Sequence, residues 1–498
     1  MAGARGGTFL GRRTDDRPPQ PADPAPDLGA GGEPFPSPPS RAGLPGTRAE
    51  RAADRADFHP GTSRSPGASR GALSCLPPRN GSRFRPDSRR DPRAPLPLTV
   101  GGSLRNMAPM EPHPSHAPEE ALLLRCARFH DDGNRARATS EALAEQSDPL
   151  RLMDLAARHG MMPLLYRHLA AHAPGALERG ALRQLPAYCH ATRFHNRLLA
   201  RELLTACRML HENGILAIPF KGPTLAVLAY GDLALRQFGD IDLMVPRRDA
   251  RKARERLSEV GFMPARPLSA EREGIYLDNY HAYSLEKGEI QLDLHWRLAQ
   301  RSFAFDIDLS LLSGRLVSVR LLEEEIPTFA PSDLLLILAV HASKHLWTRL
   351  IWICDIAALV SRHPDVDWGA LLAFARRCGA RRMLLLALFL ARHFCATELP
   401  EGVRAEVEKE PHLSPLAGNV EEALFGERPV TPGDALRFHV RMRERFGDKL
   451  RRILTPNLEE MLRFPPPFLW LAYLLRPLRL LSVRHSSSGF LPEGRHDG

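Results

Sequence analysis

The chain has 498 residues, 25% of them charged and 43% hydrophobic, with a formal net charge of +10 and seven cysteines. That length can bury a sizeable core and hold two or three domains. The N-terminus lacks the apolar run of a signal peptide, the longest apolar stretch (FLWLAYLL, 468–475) is too short to span a bilayer, and the cysteines show no CxxC spacing, so the composition predicts reduced thiols in a soluble cytoplasmic protein.

In chain order, the first hundred residues hold 18 prolines, 16 arginines, 10 acidic residues and no lysine. Such a text has too little apolar surface to offset the entropy of ordering. Residues 1–115 are therefore expected to be a disordered Arg/Pro-rich tail, with Met107 or Met110 as the translation start. Six of the ten net positive charges lie in that tail, so the folded part is only mildly basic and nucleic acid is not an expected partner.

From 116 to 213 apolar residues recur every three or four positions, which predicts a helical region closed by Gly214. The period then changes. ILAIPF (215–220) reads as a buried strand and KGPTLAVLAYGD as a turn and helix. DIDLMV (240–245) is a second strand, RDARKARERLSEVGF an amphipathic helix, and HAYSLE (281–286) with IQLDLHW (290–296) a hairpin around Lys287-Gly288. The order β-α-β-α-β-β over 214–330 predicts an α+β fold in which a small mixed sheet carries helices on one face. Helices return over 331–460, and 461–498 reads as an amphipathic, proline-broken segment and tail.

Asp240 and Asp242 stand two apart at the start of the second strand, so their side chains leave one face about 7 Å apart. At an effective dielectric of about 20 their repulsion is on the order of 3 kcal/mol, and a positive charge is expected between them. The chain contains two further Asp-x-Asp pairs. Asp367 of Asp365/Asp367 precedes WGALLAFARR and is expected to cap a helix; Asp306/Asp308 has no glycine turn upstream and is expected in a loop or at a strand edge. Only Asp240/Asp242 follows a strand ending in Lys221-Gly222, where glycine lets the backbone turn tightly and approach a ligand. Asp293 lies within the alternation IQLDLHW. Three carboxylates on neighbouring strands suit Mg2+ or Mn2+, hard cations that clamp the oxygens of a phosphoryl transfer.

These stretches, FKGPTLAVLAYGDLALRQFGDIDLMV and QLDLHWRL, together with HASKHLWTRLIWICDIAAL, resemble an uncharacterised bacterial nucleotidyltransferase family of the polymerase-β-like superfamily. The resemblance extends over about 120–480. It implies a small mixed-sheet nucleotidyltransferase core flanked by helical regions, and transfer of a nucleoside monophosphate from an NTP to an acceptor. Asp240, Asp242 and Asp293 would be the catalytic metal ligands, and Asp293 would also take the acceptor's proton. The superfamily's glycine is usually followed by a serine that contacts phosphate; here Pro223 follows, and Thr224 is the substitute expected to bind the nucleotide. A nucleotidyltransferase fold used as a silent binding module, or an antitoxin-like or RNA-modifying transferase, are the competing classes.

Lys221 is the first of only six lysines in a chain with 62 arginines, which hints at a need for a compact point charge beside the phosphates. Arg236 could neutralise a triphosphate or pair with Asp240. His295 should share a face with Asp293 and reach a phosphate or the acceptor, or stand as a satisfied core histidine. His341 and His345 share a helix face, a spacing that packing or a substrate contact explains better than zinc.

Overall fold

The computed structural model describes residues 116–129, 135–144 and 147–483, apart from 267, 304, 306, 308 and 465, all within one compact unit, Pro97–Gly498. The expected disordered tail, its candidate start sites and the Asp306/Asp308 pair lie outside the described residues. The helix Leu185–Glu212 shows why the N-terminal text folds as it does. Leu199, Leu203, Ala206 and Leu210, spaced by three and four, are fully buried along one stripe, and Gly214 follows with φ +69°.

That stripe covers one face of a five-stranded sheet. β1 is Ile218–Pro219, β2 Asp240–Met244, β3 Met263–Pro264, β4 Ala282–Lys287 and β5 Ile290–His295, in the order β1-β2-β5-β4-β3. Only β2 and β5 run parallel; the other pairs are antiparallel. Strand periodicity sends Ile241 and Leu243 of β2, Leu292 and Leu294 of β5 and Leu285 of β4 into one core with the Leu185–Glu212 helix and Ala250, Ala253 and Leu257 of the helix Ala250–Glu259. The predicted mixed sheet with an apolar face under helices is observed. The opposite face carries the alternate residues, and these are the polar ones.

β3, one helix and one hairpin exceed the sequence expectation. A helix, Ala270–Asn279, precedes β4, and β6 (Val317–Leu321) pairs with β7 (Glu324–Thr328) as a separate hairpin. Its turn is Leu322-Glu323, with Leu322 at φ +55°, a conformation ordinarily marked by Asn or Gly. The hairpin therefore lacks the usual signal. The C-terminal segment is a helix, Trp470–Val483, that runs through Pro477.

The N-terminal helices and those after Pro331 share a second core, in which Leu122, Leu152 and Leu165 join Leu335, Ile353 and Leu385. Within it the helices Pro331–Lys344 and Leu350–Arg362 bring the HASKHLWTRL stretch over the polar face of the sheet. Six cysteines are described and all are free thiols. No described helix is long and apolar enough to cross a membrane.

Candidate active site

The parallel register of β2 and β5 sets Asp240 beside Gln291, Asp242 beside Asp293 and Met244 beside His295. The alternate residues Asp240, Asp242, Asp293 and His295 therefore share the face away from the apolar core. Donor atoms of Asp242, Asp293 and His295 all lie within 4.8 Å of one another, a spacing that could hold one cation. Asp240, expected as a third carboxylate ligand, is outside this triad. It sits half-buried one register step away, lining a recess of about 40 Å³ with Lys221, Gly222 and Asp242.

A positive charge stands beside Asp242, supplied by Lys221. Its Nζ lies 2.8 Å from Asp242 Oδ1, and His295 Nε2 is 2.9 Å from the same oxygen. Asp242 is 2% exposed. Burial alone would raise its pKa, but the Lys221 ammonium and the His295 hydrogen bond outweigh it and hold the carboxyl well below the usual carboxylate range. The side chain is thus an anion in an electrostatically satisfied setting.

The residues fit a hard divalent cation. Two carboxylates and an imidazole converge, Asp242 is kept ionised, and His295 Nδ1 is buried without a hydrogen-bond partner. Gln291 donates to Asp293 Oδ1 at 3.2 Å and so orients the half-buried third donor.

Gly222 stands at the tight turn that its position implied. At φ +50°, a Cβ there would lie 3.0 Å from the carbonyl oxygen of Asp240, so glycine is needed both for backbone conformation and for close approach. Thr224 is a correction. It is fully buried, and its hydroxyl donates to the Lys221 carbonyl at 3.0 Å, which fixes the turn and withholds the hydroxyl from the cleft. The helix after Gly222 is one α-turn, Gly222–Leu225, that passes into a π-turn, Ala226–Tyr230, so it offers less of an anion-binding N-terminus than the text suggested.

Arg236 is committed to a partner the sequence reading did not consider. Its Nε and Nη2 donate to the two oxygens of Asp355 at 2.9 and 3.0 Å, and the Tyr230 hydroxyl donates to Asp355 Oδ1 at 2.8 Å. Burial would lower the Arg236 pKa, but Asp355 holds it raised. Arg236 still lines the Asp240 recess.

A cavity of about 180 Å³ opens above Asp293 and His295, with Tyr280, Lys221 and Ser284 on the sheet side and His341 and Lys344 across from them. Sequence reasoning missed His281 and Lys344 here. Lys344 Nζ donates to His281 Nε2 at 3.1 Å, and burial followed by the Lys344 charge pushes the His281 pKa well below its ordinary value. A signal existed: two of only six lysines face this one cavity. His341 and His345 pack ring to ring, centroids 4.8 Å apart, and both contact Trp352, while burial holds both imidazoles neutral. They join no metal-ligand cluster among the described residues.

The turn after Lys344 has an unusual backbone. Leu346 and Trp347 are consecutive non-glycine residues at φ +58° and +57°, a conformation costing about 1–3 kcal/mol each. Fully buried Trp347 anchors it, with Nε1 donating to Ser343 Oγ at 3.3 Å. The result is that Lys344, His345, Thr348 and Arg349 together line a second cavity, in the helical part.

No curated protein matches the chain. One solved structure that is similar, of the antibiotic-resistance factor ANT(2'')-Ia, shares 14% identity and a TM-score of 0.23 over 45% of this chain and 93% of that one. The model of the family described as uncharacterised nucleotidyltransferase matches residues 145–396, half of the chain, and includes the glycine turn, both carboxylate strands and the strained turn after Lys344. The chain belongs to that family and is a nucleotidyltransferase.

Proposed function

We propose that the protein transfers a nucleoside monophosphate from an NTP to an acceptor in a reaction dependent on Mg2+ or Mn2+. The observation that carries this is the convergence of Asp242, Asp293 and His295 on one point beside the Gly222 turn. These three residues would hold the cation, with Asp240 as a flanking carboxylate. The cation, when bound, would supply positive charge against the phosphate under attack.

The chain's own residues divide the remaining work. Lys221 borders both the cavity of Asp293 and His295 and the Asp240 recess, and Gly222 borders the recess, where an ammonium and an unobstructed backbone would meet phosphate oxygens. Asp293 is less buried than Asp242 and opens on the larger cavity, which supports its reading as the group that would accept the acceptor's proton. Arg236 sets the position of the loop before β2 through Asp355, and we assign it to that support.

Thermal melting tests the assignment. Divalent cation and NTP should each raise the melting temperature by mass action. Lys221→Ala should lose most of the NTP effect and keep the cation effect, because Asp242 is then relieved of its ammonium partner. An unchanged NTP shift in this variant would remove Lys221 from the site.

A further inference from the structure

A second and larger cavity, about 570 Å³, lies in the helical part and shares Lys344 and His345 with the carboxylate cavity and Arg349 and Trp352 with the Asp240 recess. Its volume is that of a pocket for an organic ligand of substrate size. Its lining is strongly biased in charge. Arg158, Lys344, Arg349, Arg428 and Arg452 are basic, and Glu427 is the one acidic residue among the described lining residues. They come from distant parts of the chain, and Lys344 and Arg349 are carried by the strained turn at Leu346-Trp347. Phe303, Leu346, Trp352 and Val430 supply apolar surface between them.

Nothing in the transfer chemistry assigned to Asp242, Asp293 and His295 requires this lobe. Guanidinium groups match phosphate oxygens in a two-point geometry, and several around one concave wall focus a positive field on its contents. The aromatic and apolar surface would hold a non-phosphate portion. We infer that this lobe binds a phosphate-bearing organic anion and leads it, along Lys344 and Arg349, to the carboxylates. Two sources share that chemistry: the NTP itself, lying with its triphosphate toward Lys221, and a phosphorylated acceptor. The delivery part rests on the nucleotidyl-transfer reading; the binding part does not.

Inorganic pyrophosphate in metal-free buffer is the probe, titrated calorimetrically into wild type and into an Arg158→Gln/Arg428→Gln double variant. Both side chains are exposed at the mouth, so the fold should survive, and melting curves check that. Arg452→Gln provides an independent variant from the inner wall. The expected result is binding to wild type that weakens at least tenfold in both variants. Unchanged affinity in both, or loss only on Lys221→Ala, would overturn the inference, as would no binding to wild type. A non-hydrolysable NTP analogue with Mg2+ then separates the sources: competition with pyrophosphate assigns the lobe to the NTP, and independent binding assigns it to a phosphorylated acceptor. If only this inference fails, Mg2+-NTP still stabilises wild type; if the transfer reading fails, that stabilisation is missing.

Discussion

Two buried aspartates of this protein differ in how their charge is met. Asp355 is saturated: the Arg236 fork covers both of its oxygens and Tyr230 adds a third hydrogen bond. Asp242 is met at a single oxygen, Oδ1, by the point charge of Lys221 and by one ring nitrogen of His295, and it faces a cavity in company with Asp293. A planar guanidinium fixes geometry, whereas an ammonium on a four-carbon stem can move aside without breaking a lattice of bonds. The first cluster is built to hold the loop before β2 against the Leu350–Arg362 helix. The second keeps an anion ready while leaving its surroundings able to accept a ligand. Burial and charge alone do not separate these two carboxylates; the identity of the partner cation does.

The contrast can be broken most severely at Asp355. Asp355→Asn leaves Arg236 buried without its counter-charge and should destabilise the protein by about 3–5 kcal/mol, with or without metal or nucleotide, as denaturant titration would show. Asp242→Asn should cost less, about 1–3 kcal/mol, from the loss of the Lys221 and His295 contacts. It should also abolish the cation-dependent stabilisation, which Asp355→Asn should not. Equal losses in the two variants, each retaining a full cation shift, would erase the distinction.

A smaller effect sharpens the comparison from outside the site. Burial, then the Arg158 and Arg349 charges, lowers the His159 pKa to about 3, and burial, then His116, lowers that of His393 to about 4. Both imidazoles fold in neutral form. Their contribution to stability is complete above the unfolded value of about 6.5 and is lost as pH falls from there toward 4, by on the order of 1 kcal/mol per pH unit per imidazole at most. Melting temperature should therefore decline between pH 6.5 and 5, and His393→Gln should flatten that slope. An identical slope in the variant would show the imidazole to be solvated.

Much of the site was legible because strand periodicity places alternate residues on one face. Spacing grouped Asp240, Asp242 and Asp293 and set His295 on the face of Asp293, whereas the parallel register of β2 and β5 brings Asp242, Asp293 and His295 together and leaves Asp240 outside the cluster; the turn at Gly222 was expected from Lys221-Gly222 at the end of a strand. Asp367, expected as a cap, does accept the Ala370 backbone N–H at 2.9 Å. What spacing could not supply were partners distant in sequence. Arg236 and Asp355 are separated by 119 residues, and Lys344 meets His281 across 63, so neither contact leaves a local pattern. Thr224 was misjudged because its hydroxyl closes a turn with the Lys221 carbonyl three residues earlier, a local bond that the text permits but does not announce.

Asp242, Asp293 and His295 are proposed as a divalent-cation site. Electron paramagnetic resonance of Mn2+ titrated into the protein tests it without knowledge of the acceptor, because bound ions lose the free-ion signal. Wild type should show a saturable loss of that signal, Asp293→Asn and His295→Gln a severe weakening of it, and Asp367→Asn, whose carboxylate caps a helix, wild-type behaviour. Undiminished Mn2+ binding in both Asp293→Asn and His295→Gln would contradict it.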